Sequence, residues 1–294
     1  MNLLLMLPST IRLTLPMLFG SLGIVLCAQT GVIFMAMEGA LLGSGFVATY
    51  VCYLSGNALL GELAAVGFGM MYSAILSFFI NRCSGNHVVC SIGFNFISLG
   101  ATTVLMQPAF GNTGFSPNVT KLPLVQLPVI GEQSVNLFLI LAAIVGVWLL
   151  LFRTNWGLRA RAIGENPGAA DSLGVRVTKY RLEAMLICGV LAGIGGAELT
   201  LGQMGFFARN MTANMGFLSY SAVVFAGYSP LMVVITTLVL GFFDAFQMNA
   251  QLLVNIPSEF LLTLPYVVTI LSLALFGSHR APAMFGKNYS RGEA

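Results

Sequence analysis

The chain has 294 residues, of which 57% are hydrophobic and 8% charged, with a mean hydropathy of +0.89. A soluble domain carries about a quarter of its residues as charges, so this composition excludes one. The net charge of +3 sits at loops rather than on the dense basic face that nucleic-acid binding needs.

In chain order, near-chargeless stretches of about 20 residues, long enough to cross about 30 Å of hydrocarbon as helices, predict spans at 11–29, 32–53, 58–81, 87–107, 135–152, 183–204, 217–228, 230–249 and 259–277. The fold class is an all-α polytopic membrane protein of about eight to ten transmembrane helices. Ahead of the first span, Met1 to Arg12 has neither a basic leader nor a small-residue cleavage site, so that segment is expected to stay as a helix. The stretch 217–228 is too short to cross and is predicted to be a half-helix or re-entrant piece, broken at Gly227-Tyr228-Ser229-Pro230, tolerable only where protein or a water-filled cavity covers its backbone. The whole chain, 1–294, is expected to be one transmembrane domain.

Two connections stand out. Residues 108–134 hold Pro108, Pro117, Pro123 and Pro128; the prolines disfavour a continuous helix, and this external loop either meets a delivering protein or merely connects two spans. Residues 153–182 hold Arg153, Arg159, Arg161, Arg176, Lys179 and Arg181, six of the thirteen basic residues. Short basic loops face the cytoplasm. Alternation then puts Arg82, Arg280, Lys287 and Arg291 on that side and Lys121 and Arg209 outside, with Arg12 ambiguous.

Glycines at small-xxx-small spacing, Gly189 with Gly193, Gly193 with Ala197, Gly39 with Gly43, fit close helix packing in lipid. An acid precedes a Gly-Phe pair after both Glu38 and Glu198, a faint internal echo. The five cysteines have neither metal nor disulfide spacing and read as packing residues. No catalytic or metal-ligating set is expected. Lys121, Lys179 and Lys287 are followed by Leu, Tyr and Asn, whereas a phosphate loop needs Lys before Ser or Thr; any ATP hydrolysis belongs to another polypeptide. There are two His and no HExxH.

Glu38, Glu198 and Asp244 lie inside apolar stretches, where a charge is costly unless it faces a cavity or a partner. Asn95 sits between Phe94 and Phe96. Amides, carboxylates and rings together suit a polar solute bearing a ring, such as a nucleoside or flavin. Equally, these groups could hydrogen-bond between helices and hold the bundle.

Arg161-Ala162-x-Gly164-x-Asn166-Pro167-x-Ala169-Ala170, followed by Gly174-Val175, resembles the cytoplasmic coupling loop of ABC-importer permeases of the ribose, branched-chain amino acid and nucleoside types. Gly31-Val32 leading to Met37-Glu38-Gly39, Val88-Val89 leading to Asn95, Ala192-Gly193-x-x-Gly196-Ala197, and Ala222 leading to Ala226-Gly227-x-x-Pro230 are similar to further segments of nucleoside-type permeases, in the same order. The departures are Phe34, Ala36 and Ser91, which stand where that family has Asn, Gly and Gly. Phe34 removes a polar contact and keeps riboflavin or a simple sugar open beside a nucleoside.

The resemblance implies a permease subunit of the bacterial cytoplasmic (inner) membrane that binds no cofactor itself. Its partners would be two ATPase subunits that use the ATP, a second permease copy or homologue, and an external solute-binding lipoprotein. Phe34, Glu38, Asn95, Glu198 and Asp244 would line the solute path. Arg161, Gly164, Asn166, Pro167, Ala169, Ala170 and Gly174 would couple it to the ATPase through a short helix near 166–173, with Pro167 at its start. A proton-coupled carrier using Glu38, Glu198 or Asp244 is the rival class.

Overall fold

The computed structural model describes residues 7–127, 131–253, 263, 267 and 281–289. Apart from Thr263 and Val267, the predicted span at 259–277 lies outside the described residues, as do Arg280 and Arg291. Elements run in the order α1 (Leu7–Gln29), α2 (Met37–Ser55), α3 (Ala58–Asn81), α4 (His87–Phe110), β1 (Leu124–Leu127), β2 (Gly131–Ser134), α5 (Asn136–Arg153), α6 (Asn155–Glu165), α7 (Pro167–Ser172), α8 (Val177–Ala197), α9 (Met215–Phe225) and α10 (Pro230–Leu253). A π-helical stretch, Glu198–Met204, prolongs α8. Seven of the described helices are long and apolar enough to span a membrane. The expected half-helix is present as α9, whose 11 residues reach only about 16 Å.

Local chemistry sets the ends. Asn57 and Asn86 cap α3 and α4 by accepting the amides of Leu59 and of Val88 and Val89. Gly56 and Gly111 close α2 and α4 at φ 70° and 71°, a left-handed turn that favours glycine. That closure lets α4 run through Pro108 to Phe110, beyond the predicted end at 107, because a proline in the last turn costs one helical bond only. The predicted span 32–53 is corrected more sharply: 32–35 belong to neither helix nor strand and the helix begins at Met37.

Helix α1 is the buried axis, with Phe19, Leu22, Val25 and Leu26 fully enclosed, and it packs on α8, α9 and α10. Helices α3 and α8 touch backbone to backbone. A Cβ on Gly69 would strike the Gly189 carbonyl, one on Gly189 the Gly69 carbonyl, and one on Gly193 would lie 2.7 Å from the Ala65 carbonyl. Gly39 and Gly43 instead admit the Tyr72 hydroxyl and the Phe68 ring. Helices α4 and α5 stand at the periphery.

The 108–134 connection contains an antiparallel hairpin, β1 with β2, pairing Leu124 with Ser134 and Leu127 with Gly131. Ser116, Val119 and Leu122 donate backbone bonds to Phe207, Gly205 and Leu201, and Gln133 reaches Pro8, so the connection caps one end of the bundle. Arg12 and Lys121 both donate to the Gln203 carbonyl, at 2.6 and 3.0 Å. Arg12 therefore joins Lys121 at this end, opposite α6 and α7, while Arg82 lines a groove with Arg176 and Lys179 at the other.

Candidate translocation junction and coupling element

The basic connection folds into two short helices. Thr154 caps α6 by accepting the Gly157 amide at 3.2 Å, and Asn166 caps α7 by accepting the Ala169 amide at 3.0 Å. Pro167 occupies the first position of α7, where its missing N–H and fixed φ cost nothing. Gly174, at φ 84°, turns the chain back, and the Val175 amide donates to the Ala170 carbonyl. Ala170 packs with Ile163 and Val177 in a small core of its own, while Ala169 and Asn166 are exposed. Arg161 lies over the Phe152 ring, 4.9 Å from its centre.

This element abuts the end of α1. A Cβ on Gly164 would come within 2.5 Å of the Gln29 carbonyl, and Met284 donates to the Gly164 carbonyl. Arg181, at the start of α8, is only 2% exposed. Its Nε donates to the Thr30 carbonyl and Nη2 to the Lys287 carbonyl, both at 3.2 Å. A guanidinium at this point faces the carbonyl end of α1, where helix polarity favours a cation.

From there the chain turns inward as a non-helical segment, Thr30–Ala36, with turns at Thr30, Gly31 and Ala36 on either side of an irregular 32–35, whose backbone groups need partners. The Ile33 amide donates to His87 Nδ1 at 3.1 Å, and His87 Nε2 is 3.0 Å from Asn288 Oδ1; the first bond places the ring proton on Nε2. Asn95 accepts the Gly39 amide at 2.8 Å and donates to the Met35 carbonyl at 2.9 Å. The Tyr72 hydroxyl donates to the Ala36 carbonyl. Phe34 is fully enclosed in the core.

The non-helical segment ends where the N-termini of α2 and α9 meet. A Cβ on Gly20 would lie 3.2 Å from the Met37 side chain, and Gly20 is nine residues, about 13 Å along the helix, before the end of α1, so the meeting point is near mid-depth. Glu38 serves both helices. It stands in the first turn of α2, and its Oε1 accepts the Thr212 hydroxyl at 2.5 Å and the Asn214 amide at 3.0 Å, while Oε2 accepts the Gly216 amide at 2.7 Å. A carboxylate there answers two positive helix ends at once. Gly216 is necessary because any side chain would collide with the Glu38 backbone. The approach to α9 is strained, with Asn210, Ala213 and Asn214 at positive φ.

Glu38 and Asn95 thus come together on either side of the start of α2. Glu198 and Asp244 do not join them. Glu198 is 1% exposed at the opposite end of the bundle, accepts the Ser134 hydroxyl at 2.5 Å, and lines a polar cavity of about 120 Å³ with Arg12, Lys121 and Gln133. Asp244 is half-buried on α10. The echo between Glu38 and Glu198 joins unlike places, since one opens a helix and the other sits where α8 turns π-helical. Arg181, His87, Tyr72 and Thr212 escaped the sequence reading. So did Glu62, a nearly buried acid on α3 whose position inside a span was a usable signal.

The family model for "branched-chain amino acid transport system / permease component" matches residues 6–273. The nucleoside ABC transporter permease protein NupC of Lactococcus lactis is 32% identical, over 93% of this chain and 93% of its own length. The guanosine ABC transporter permease protein NupQ of Bacillus subtilis is 30% identical over 97% and 96%. A putative glucose ABC transporter permease protein, TsgC13 of Haloferax volcanii, is 29% identical over 84% and 78%. No solved structure matches. With its apolar spans and this match along nearly its whole length, the chain is a multi-pass protein of the bacterial cytoplasmic membrane and belongs to the branched-chain amino acid transport system permease family, the membrane components of ABC transporters.

Proposed function

We propose that the chain forms the membrane path of an ATP-driven nucleoside importer, with α6 and α7 as the face that an ATPase subunit moves. The observation that carries this reading is the contact chain from α7 through Gly164 to Gln29, and from Arg181 to Thr30, which leads along the non-helical segment to Glu38 and α9. Displacing α7 by a few ångströms pushes on that segment, because Gly164 has no slack against the Gln29 carbonyl. The junction of α2 and α9 at mid-depth is the part that then opens and closes around the solute, in keeping with interrupted helices at transporter centres.

Glu38 and Asn95 act in this proposal as latches of the junction, since the polar atoms of both are engaged by backbone or by Thr212. The complex contains two ATPase subunits, a second permease and an external solute-binding lipoprotein; α6 and α7 face the cytoplasm and the 108–134 connection faces the binding protein. The nucleoside assignment draws on two bacterial relatives, NupC and NupQ, that match along nearly their whole length.

The test is uptake into vesicles containing this chain, its partner permease, the ATPase and the binding protein, supplied in turn with guanosine, riboflavin, ribose and glucose. ATP-dependent guanosine uptake is expected. ATP-dependent uptake of a sugar or riboflavin alone overturns the substrate assignment. Uptake that ignores ATP and collapses with the proton gradient overturns the coupling.

A further inference from the structure

Beside the packed seam of α3 and α8, at the end that carries α6 and α7, lies a groove of about 630 Å³ whose wall includes Arg82, Arg176 and Lys179 together with Ser77, Asn81 and Phe78. Helix α3 ends at Asn81 and the α8 span begins at Val177, so the groove sits where hydrocarbon gives way to headgroups. Its apolar wall faces outward, with Phe78 58% and Leu182 38% exposed.

Neither the Arg82 nor the Arg176 guanidinium has an acidic partner among the described residues, and Lys179 has only Glu183, 3.7 Å away and one helical turn along. The groove therefore offers positive charge for a phosphate and an apolar wall for a chain running into the bilayer.

We infer that this groove binds the headgroup of an anionic glycerophospholipid, with Arg82 and Arg176 on the phosphate and the acyl chains lying against Phe78 and Leu182. Basic pockets between spans at the cytoplasmic surface have the right charge and depth for such lipids. Because the groove edges the α3–α8 seam and Arg176 directly precedes α8, a bound lipid braces the start of the helix that carries Arg181.

The experiment uses the full-length permease complex, equilibrated with phosphatidylglycerol and phosphatidylcholine and weighed intact by native mass spectrometry. The wild-type complex is expected to retain phosphatidylglycerol preferentially. Replacing Arg82→Gln with Arg176→Gln lowers that preference about fivefold or more, whereas Arg153→Gln with Arg159→Gln, the same charge loss elsewhere on this end, leaves it within about twofold. Arg82→Lys with Arg176→Lys keeps both charges and most of the preference, which separates lipid binding from loss of the fold. Equal losses in both Gln pairs, or none in either, overturn the site. Displacement of the lipid by millimolar glycerol phosphate means that a soluble anion is the ligand and overturns the lipid assignment. A preference that appears only when the ATPase is removed assigns the cations to that partner instead, and also overturns it.

Discussion

Glu38→Gln isolates the central latch. The substitution keeps size and one carbonyl oxygen, so the bonds from Thr212 and Asn214 can persist, but it turns an amide N–H toward the Gly216 amide. One charge-assisted bond disappears, about 1.5–3 kcal/mol, together with about 0.3–1 kcal/mol of charge–dipole interaction at each of two helix N-termini. The sum is about 2–5 kcal/mol, all of it local to the start of α9. Amide exchange of a peptide covering 212–218 should accelerate about 30-fold or more, at about 1.4 kcal/mol per factor of ten. Peptides from α3 and α8 should stay as slow as in the parent. Hydrogen-exchange mass spectrometry on the reconstituted complex reads both, and solute uptake is expected to fall in parallel. Unchanged exchange at 212–218 with uptake abolished would refute the latch and return Glu38 to direct contact with the solute.

Gly164→Val presses a side chain into the Gln29 carbonyl and the Pro282 ring, an overpacking cost of about 1–3 kcal/mol. It should leave the complex assembled and hydrolysing ATP while solute uptake falls about tenfold, the change expected from only about 1.4 kcal/mol at the junction; normal uptake per ATP speaks against the contact chain. Gly189→Val forces α3 and α8 apart against backbone that cannot move aside, and should lower the unfolding midpoint in detergent by at least the same cost. Gly67→Ala on the same α3, where a Cβ meets open space, should leave the midpoint unchanged, and equal effects of the two refute the seam.

How much of this was legible in the sequence depended on whether the cause was local. Helix α3 was predicted at its observed bounds because its apolar run ends at a capping Asn57 and a basic Arg82. The short α7 was expected from the family resemblance, with Pro167 suited to its first turn. The non-helical segment was not: VIFMA is as apolar as any span, and it stays unwound because Arg181, His87 and Asn95, distant in sequence, take its backbone groups. Gly31, at φ 81°, was its one local trace. Helix α8 begins six residues before its predicted start because Arg176, Lys179 and Arg181 dilute the hydropathy of a turn that lies at the surface. The hairpin at 124–134 hid among prolines, and its pairing rests on a bulk of neighbours that no window of sequence contains.

The non-helical segment also has a consequence for synthesis. Its anchors are Arg181, 151 residues downstream of Thr30, and the His87 ring that Asn288, 201 residues further on, completes. At about 5–20 residues per second, the ribosome reaches Arg181 roughly 8–30 seconds after Thr30, and the tail later still. Until then α1 and α2 reside in the bilayer joined by a stretch whose Thr30 carbonyl has no permanent donor. The centre of the permease is among the first parts made and the last completed, so a nascent chain released before its tail emerges carries an inserted bundle with an unlocked heart.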